Sequence, residues 1–354
     1  MVTIDELKSH LFKMNKEETF YKKYYETKKD PIALKDLLSS LDRKEMDELG
    51  VWLPDITPRT ESGTFPEYLI SNQTQNIDVS KHNRYNPVFL HKHDFFEMIY
   101  VYEGVCENIV EETPGSYNKM IMYKGDICIL APGISHTMGV FDDHSIVLNI
   151  VIRQTTFKKI FFNLLTEKSI LSFFFYSIFY SDKPNSYIYF KTKEDKELHR
   201  VLENLILECI NRQEYFMENS ENLLRSAFFY LLRNHTKDAI LPSSPFTAPK
   251  YIYDILAYIQ DNYNLVTLRQ LAYKFNYSEQ HLSKLIKKHT GSTFTKIVEN
   301  IRFAKSCSML ESSNLPIGEI SKLDGFSSVE YFTRQFRKLY NMTPTEYRIF
   351  KTFH

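Results

Sequence analysis

The C-terminal part of the chain contains one pattern twice: a short helix, a tight turn, and a second helix rich in Lys, Arg, Ser and Gln. A single copy is weak evidence, because any small helical bundle with a short turn can produce it. Two copies in one short segment constrain the fold much more. The apolar residues of the first helix share one face at spacings of i, i+3, i+4 and i+7: Leu268, Leu271, Ala272 and Phe275.

The turn of the first copy contains residues with clear preferences for helix caps and for left-handed backbone. We expect Thr267 to cap the first helix and Asn276 to take the left-handed conformation that a sharp turn needs. Ser278 is expected to cap the second helix. Four side chains then face outward and can donate hydrogen bonds to base edges or phosphates: Gln280, Ser283, Lys284 and Lys287.

The second copy begins at Pro316 and breaks at Gly325, which supplies the turn. Phe326 is expected to fill the core beneath it, and Ser328 to cap a helix from Val329 to Tyr340. The outward residues of that helix are Glu330, Thr333, Arg334, Arg337 and Lys338.

The segment between the two copies, Phe294 to Leu310, is predicted to be one helix. A rigid helix of that length could hold the two outward helices about one DNA turn apart, roughly 34 Å. Its candidate core residues are Ile297, Ile301, Ala304, Cys307 and Met309.

Charge is divided unevenly along the chain. The whole chain has 44 basic and 44 acidic residues, which alone would argue against a nucleic-acid-binding protein. Residues 250–354, however, carry 15 Lys and Arg against 9 Asp and Glu, and the remainder carries 29 against 35. The positive charge is therefore concentrated in the part that would meet phosphate.

Residues 268–348 resemble the DNA-binding domain of AraC-type transcription regulators. The resemblance implies base contacts by Gln280, Ser283, Lys284, Val329, Glu330, Thr333 and Arg334. Ser278, Lys287, Ser328, Arg337 and Lys338 are expected to contact phosphates. The family often has Gly before its Thr-Pro pair, whereas this chain has Asn341-Met342, and Asn tolerates the same backbone. The matching residues are Leu271-Ala272, Ser278, Leu282-Ser283-Lys284, Gly291, Ile301-Arg302-Phe303-Ala304-Lys305, Ile320-Ser321, Gly325-Phe326, Tyr331-Phe332, Arg334, Phe336-Arg337-Lys338, Thr343-Pro344 and Tyr347-Arg348.

A chain of 354 residues exceeds what one core usually serves, and its composition, 43% hydrophobic and 25% charged, is ordinary for a globular protein. Three prolines among small polar residues mark a linker at 241–249. The predicted domains are a helical N-terminal extension at 1–60, a cupin-like barrel at 61–155, a helical segment at 156–240, that linker, and a DNA-binding domain at 250–354.

Strand-like runs between residues 64 and 152 contain residues that resemble the two motifs of the cupin barrel. His91 and His93, two apart on a strand, would share one face, on which Glu97 and His136 would converge. Three His and one Glu form a mixed set that suits Mn, Fe, Zn or Ni. The matching residues are His91-Lys92-His93, Glu97, Gly104, Gly125-Asp126, Pro132-Gly133 and His136.

AraC-type regulators commonly have such a barrel without a metal, so three interpretations stay open: an effector pocket, which we favour, a divalent metal site, and a barrel that serves only in assembly. Ala131 and Val140 stand where metal-binding cupins usually have Pro and Asn, which weakens the metal interpretation. We therefore expect no cofactor.

Two amphipathic helices are predicted after the barrel, at 194–217 and 220–234. Such a pair is usually part of one monomer's core, but the resemblance implies that it dimerises. Residues 156–190 are expected to form a helix with a connecting segment, or alternatively a lid on the barrel. The apolar positions of the pair are Leu198, Val201, Leu202, Leu205, Ile206, Cys209, Leu223, Leu224, Ala227, Phe228 and Leu231.

Residues 1–60 are an addition to the family layout. Asp30-Pro31 is expected to begin a helix of about five turns that ends at Gly50. Upstream, Lys22-Lys23 and Lys28-Lys29 alternate with Glu17, Glu18 and Glu26, which favours a solvated helix over a nucleic-acid patch.

No signal peptide and no apolar run of 18 residues is present, so no membrane association is expected. The four cysteines lack metal or disulfide spacing and suit a reducing cytoplasm.

The sequence therefore predicts a multidomain α+β protein with an N-terminal helical extension, a cupin-like β-barrel, a helical dimerisation segment and an all-α domain with two helix-turn-helix motifs. The function we expect is transcription regulation, with double-stranded DNA, a small-molecule effector, a second copy of the chain and RNA polymerase as partners. The alternative is a metal-dependent cupin enzyme, an isomerase or dioxygenase, tethered to DNA. Activation or repression, the promoter and the effector, whether sugar, fatty acid or aromatic compound, stay open.

Overall fold

The computed structural model describes residues 1–54, 56, 64–65, 75–161, 187–242, 250–290 and 292–353. The chain divides into two compact units, an N-terminal unit of residues 1–160 and 184–244 and a C-terminal unit of residues 161–183 and 245–354. The described part of the first is a sheet-rich mixture of strands and helices, and that of the second is helical. Most of the expected linker lies outside the described residues, and the domain bounds predicted above stay predictions.

Four helices lie in residues 1–54, before the large sheets: α1 (Ile4–Phe12), α2 (Lys16–Thr27), α3 (Pro31–Ser40) and α4 (Arg43–Leu49). The single helix expected from Asp30 to Gly50 was wrong, because the backbone becomes extended at Leu41. The hydroxyls of Ser39 and Ser40 donate to the carbonyls of Lys35 and Leu37. Such local bonds compete with helix continuation, which explains the break.

The described strands form two larger antiparallel sheets and one short parallel pair. The six-stranded sheet has the order β11-β10-β7-β4-β9-β2, the three-stranded sheet has the order β6-β5-β8, and β1 pairs with β3. Their bounds are β1 (Thr64–Phe65), β2 (Ile77–Lys81), β3 (Lys92–His93), β4 (Phe96–Glu103), β5 (Val105–Thr113), β6 (Ser116–Tyr123), β7 (Ile127–Leu130), β8 (His136–Gly139), β9 (Ile146–Ile152), β10 (Tyr187–Phe190) and β11 (Ala239–Ile240).

The core of the N-terminal unit lies between these two larger sheets. Alternate residues of each strand point to one face, so the inner faces can interdigitate. Burial of each such side chain contributes roughly 1.5–3 kcal/mol. The inner face of the six-stranded sheet contributes Ile99, Val101, Cys128, Leu130 and Val147, and that of the three-stranded sheet contributes Cys106, Val110, Met120, Met122 and Met138.

Helices cover the other side of the six-stranded sheet. These are α5 (Gln154–Phe161), α6 (Lys196–Asn211) and α7 (Phe216–Asn234). Phe157 of α5 stacks on Phe96 of β4 at 3.6 Å and meets Phe228 of α7 edge-on at 5.9 Å. Most of the predicted apolar positions of α6 and α7 are buried within this unit. The predicted segment 156–190 falls largely on residues 162–186, outside the described residues.

An ion-pair network attaches α2 to the sheets. Glu18 is fully buried and accepts hydrogen bonds from Arg84 Nε at 2.9 Å, Arg84 Nη2 at 3.0 Å and Lys81 Nζ at 2.7 Å. Tyr21 and Tyr24 are buried beside it. The expectation of a solvated helix was therefore wrong for this face of α2. Glu18 does not offset the charge of surface lysines but pairs with the buried Arg84.

The C-terminal unit consists of helices joined by short turns. The helix predicted from Phe294 to Leu310 is confirmed as α11, with Ile297 and Ile301 fully buried. No described helix combines the length and the apolar character that a membrane span needs. The helices are α8 (Lys250–Asp261), α9 (Leu268–Lys274), α10 (Glu279–Thr290), α11 (Phe294–Ser312), α12 (Ile317–Leu323), α13 (Val329–Tyr340) and α14 (Pro344–Phe353).

Candidate functional site

The turn between α9 and α10 has the caps that its sequence predicts. Thr267 Oγ1 accepts a hydrogen bond from Gln270 N, and the Gln270 side chain accepts one from Thr267 N. Asn276 has a φ of 56°, and Ser278 Oγ accepts a hydrogen bond from His281 N at 3.2 Å. These residues fix where α10 begins and hence which of its side chains face solvent.

The solvent side of α10 carries the polar residues expected to contact DNA. Gln280, Lys284 and Lys287 are exposed, and Ser283 is half-buried. The other side of the helix is buried in the C-terminal unit, with Leu282 fully enclosed. The helix therefore presents one polar, basic side to solvent.

The turn between α12 and α13 requires glycine. Gly325 has a φ of +79°, and a Cβ at this position would lie 2.0 Å from the carbonyl oxygen of Asn264. The preceding residue, Asp324, is buried and accepts hydrogen bonds from Ser306 and from Tyr263 Oη at 3.1 Å. Burial raises the pKa of Asp324, although both hydrogen bonds oppose the rise. This turn is therefore held against the loop that follows α8.

Arg302 of α11 holds the same loop from another direction. Its Nε donates to Tyr263 O at 3.0 Å and its Nη2 donates to Asn264 O at 3.2 Å. The guanidinium also lies 5.9 Å from the ring centroid of Phe326. Together with the close approach of Gly325 to Asn264, these contacts fix α12 and α13 relative to α8 and α11.

The exposed side of α13 lines an open groove. Ser328 Oγ accepts a hydrogen bond from Tyr331 N at 3.1 Å and caps the helix, while Phe332 and Phe336 are fully buried on its other side. The groove has a volume of about 640 Å³. Except for Thr343, its lining residues were all predicted to contact DNA: Val329, Glu330, Thr333, Arg334, Arg337, Lys338 and Thr343.

Two residues of the groove carry opposite charges and have oriented side chains, Arg334 and Glu330. Arg334 is exposed, and its guanidinium lies 5.7 Å from the ring centroid of Tyr331, whose hydroxyl donates to Glu299. Hydrogen bonds with its own backbone amide and with Ser328 lower the pKa of Glu330. The groove therefore offers an oriented cationic donor and an anionic acceptor on the same helix.

A second candidate site lies between the sheets of the N-terminal unit. His93 Nε2 is 2.9 Å and His136 Nε2 is 3.1 Å from the same Glu97 Oε2, and all three side chains are buried. Burial raises the pKa of Glu97, but both histidines outweigh it and hold the pKa well below its ordinary value. His93 Nδ1 lies 2.9 Å from Phe95 O. A carbonyl can only accept, so we assign the hydrogen to Nδ1.

His91 lies beside this cluster but outside it. Its ring centroid is 4.3 Å from that of His136 and 6.4 Å from that of His93, and its Nδ1 is 3.1 Å from Phe89 O. The structure thus brings together three of the four predicted residues. Their ligand atoms lie within 4.8 Å of one another. Two nitrogens and a carboxylate oxygen fit a divalent metal whose remaining positions go to water or substrate.

Other polar residues of this interior were not predicted from the sequence. Asn108 is fully buried on β5, flanked at i±2 by the buried Cys106 and Val110. A polar residue interrupting an apolar stripe at strand spacing was the available signal. Asn149 on β9 and His82 after β2 were not predicted either. Their sequence signals are weaker, because Asn149 is only half-buried and the burial of β2 does not alternate regularly.

Comparisons with known proteins match the C-terminal unit. The profile of the helix-turn-helix domain family matches residues 271–349. Over 99 residues the chain is 30% identical to the multiple antibiotic resistance protein MarA of Salmonella typhimurium, which spans 28% of this chain and 78% of MarA. The chain belongs to the AraC/XylS family. The predicted AraC-type DNA-binding transcription regulator is therefore confirmed.

Two further relatives of this AraC/XylS protein differ in coverage. The uncharacterised HTH-type transcriptional regulator YpdC of Escherichia coli is 36% identical over 96 residues, which are 27% of this chain and 34% of YpdC. The chain thus matches about a third of that relative. The uncharacterised HTH-type transcriptional regulator YfiF of Bacillus subtilis is 26% identical over 271 residues, 75% of this chain and 80% of YfiF.

Proposed function

We propose that the two helix pairs, α9–α10 and α12–α13, are helix-turn-helix motifs that place α10 and α13 in successive major-groove segments. The observation that carries this proposal is the groove along α13, whose lining is almost entirely the residues predicted from sequence to contact DNA. Base contacts are assigned to Gln280, Ser283, Lys284, Val329, Glu330, Thr333 and Arg334, and phosphate contacts to Ser278, Lys287, Ser328, Arg337 and Lys338.

The chemistry of each group supports its assignment. Arg334 and Lys284 can donate to guanine O6 and N7, and the anionic Glu330 can accept from the amino group of cytosine. Ser278 and Ser328 accept backbone amide hydrogens as helix caps. The hydroxyl hydrogen of Ser278 can in turn donate to a phosphate at the N-terminus of α10, where phosphate binding is favoured. The Ser328 hydroxyl is hydrogen-bonded to Glu330, so it would have to leave that carboxylate to donate to a phosphate.

The test is genome-wide capture of DNA by the full-length protein at a stated salt concentration. We compare the wild type with the double variant Lys284→Ala, Arg334→Ala. The matched control is Lys35→Ala, Lys44→Ala, which removes the same charge from exposed positions of α3 and α4. The proposal requires a motif with two boxes about one helical turn apart, kept by the control and lost by the double variant. Equal, sequence-independent binding by all three proteins would contradict it.

We further propose that the N-terminal unit is a cupin-like barrel that binds a small-molecule effector and thereby changes promoter occupancy. The face-to-face packing of its two larger sheets and the buried polar cluster between them support this. Dimerisation through α6 and α7 would use their outward apolar residues, of which Ile210 is 40% and Phe229 44% exposed. RNA polymerase would be the further partner of an activator.

The alternative is a metal-dependent cupin enzyme, which the His93, Glu97 and His136 cluster favours. A bound divalent metal would polarise a substrate oxygen or activate water. His93 and His136 would each contribute Nε2, with His93 oriented by its Nδ1–H bond to Phe95 O. Metal analysis of purified protein tests this. About one equivalent that is lost in His93→Ala, His136→Ala would support the enzyme, whereas metal-free protein that binds DNA specifically would favour the regulator.

A further inference from the structure

Arg334 of α13 lies against an aromatic ring. Its guanidinium is 5.7 Å from the ring centroid of Tyr331, one helical turn earlier on the same face. Glu330, four residues before Arg334, would be the ordinary partner of an ion pair along the helix. Its carboxylate instead bonds to its own backbone amide and to Ser328. The ring of Tyr331 therefore provides the surface that constrains this guanidinium.

The Tyr331 ring is itself held in place. Its hydroxyl donates a hydrogen bond to Glu299 of α11, 32 positions away in the sequence. This bond and burial raise the pKa of Tyr331, although the charge of Arg334 opposes the rise. The phenol therefore keeps its proton near neutral pH and stays a donor to Glu299. The rest of the ring packs against the aromatic core of the unit, which includes Phe303, Phe332 and Phe336.

Arg302 attracts Glu299 from the same helix. It lies three residues further along α11, where the carbonyls of Tyr263 and Asn264 accept hydrogen bonds from its guanidinium. Burial lowers the pKa of Arg302, and the negative charge of Glu299 opposes this fall. The acceptor of the tyrosine hydroxyl is therefore drawn toward a cation that the loop after α8 holds in place.

A constrained guanidinium reads a base better than a free one. An arginine side chain loses rotamer freedom when it binds, and one that already lies on a ring has less to lose. Its planar fork of donors can stack on the ring while it donates to guanine O6 and N7. A fixed ring therefore favours the geometry that pairs with one base over the geometries that others require.

A second tyrosine–glutamate bond on α11 provides a comparison. Tyr347 Oη of α14 donates to Glu311 Oε1 at 2.8 Å. This bond joins α11 to α14 and not to α13. It therefore makes the same type of contact between helices without involving the helix that carries Arg334.

We infer that Tyr331 and Glu299 are positioning residues for base reading by Arg334. Glu299 fixes the Tyr331 ring, and the ring fixes the guanidinium. The inference rests on the proposed base contact of Arg334. It assigns a part in sequence selection to α11, the helix that joins the two helix pairs.

The experiment is binding-site selection with the full-length protein at one stated salt concentration, read as the preference for the favoured base at each position. Arg334→Ala identifies the position that Arg334 reads. At that position Tyr331→Leu should lower the preference about two- to fivefold, because it removes the cation–π contact. Tyr331→Phe and Glu299→Gln keep the ring but lose the hydrogen bond, and each should lower the preference by a smaller factor.

Two double variants separate positioning from a general structural role. Tyr331→Leu, Arg334→Ala should show the same preference as Arg334→Ala alone, because the ring acts only through the guanidinium. Glu299→Gln, Tyr331→Phe should match either single variant, because both changes remove the same hydrogen bond. Tyr347→Phe, which removes the bond to Glu311, should keep the wild-type preference at every position.

An unchanged preference in Tyr331→Leu, at the position that Arg334→Ala relaxes, would overturn the inference and leave the proposed function intact. An equal fall at every position would also overturn it, because a structural role alone predicts that result. If Tyr331→Leu does not fold, Glu299→Gln decides in the same way, since Glu299 is only half-buried. A wild type that selects no sequence at all would contradict the proposed function itself.

Discussion

Replacement of Glu18 by Ala should destabilise the N-terminal unit strongly, although Glu18 lies on a helix whose other charged residues are exposed or half-buried. The carboxylate accepts three charge-assisted hydrogen bonds from Arg84 and Lys81, and Arg84 is only 1% exposed. Its removal leaves the Arg84 charge buried, with the carbonyls of Phe12 and Asp143 as its acceptors among the described residues. Breaking a buried pair in this way costs about 3–5 kcal/mol.

The assay is urea unfolding of the full-length protein, with hydrogen exchange to locate the loss. Glu17→Ala is the control, because Glu17 accepts a hydrogen bond from Asn83 in a less buried setting and should cost less than about 1 kcal/mol. The double variant Glu18→Leu, Arg84→Met should recover part of the loss, since the buried Arg84 charge is removed together with its anion, while Lys81 keeps the carbonyls of Leu11 and Lys13 as acceptors. Equal stability of Glu18→Ala and Glu17→Ala would refute the reasoning.

The same ion pair predicts a pH dependence. Burial raises the pKa of Glu18, but hydrogen bonds from Arg84 and Lys81 outweigh it, so the folded pKa lies below the ordinary value of 4.5. The group therefore stabilises the fold above pH 4.5, and this contribution is lost as pH falls through the lowered pKa. The stability difference between wild type and Glu18→Gln should be constant near neutral pH and should shrink in acid.

Three further predictions concern the C-terminal unit. Arg334→Ala should weaken specific DNA binding by about 1–3 kcal/mol and relax one position of the site in a binding-site selection, and a uniform loss over all sequences would remove its base-reading role. Gly325→Ala should lower the stability of this unit by at least about 1–2 kcal/mol in urea unfolding, because the backbone is left-handed and the new Cβ would collide with Asn264 O. Ser328→Ala should cost about 0.5–2 kcal/mol as a lost cap, and an unchanged unfolding midpoint would show that Tyr331 N finds another acceptor.

Local rules predicted the C-terminal unit well because its turns depend on neighbouring residues. The residues that occupy the cap and turn positions are of the types that favour those positions: Thr267, Asn276, Ser278, Gly325 and Ser328. The same rules could not find Arg302 or Asp324 as anchors, because their partners are distant in sequence.

The contacts of the N-terminal unit were harder to predict, because its partners are also distant in sequence. Glu18 and Arg84 are 66 positions apart, so no local pattern indicates that they pair. The motif was sufficient to predict the cluster of His93, Glu97 and His136. The position of His91 could not be predicted in the same way, because β3 contains only Lys92 and His93, so His91 lies before the strand. Asn108 could be recognised only once the register showed which face of β5 is enclosed.

The Glu18–Arg84 pair also has a consequence for how the chain matures during translation. Helix α2 leaves the ribosome before β2 and Arg84 have been synthesised. The face of α2 that is buried in the folded protein therefore has no packing partner during that time. In that interval its tyrosines and an unpaired carboxylate are exposed to solvent and to other nascent chains. A fragment of residues 61–240 would lack Glu18, so Arg84 and Lys81 would have no carboxylate to pair with. Such a truncated product should aggregate when expressed.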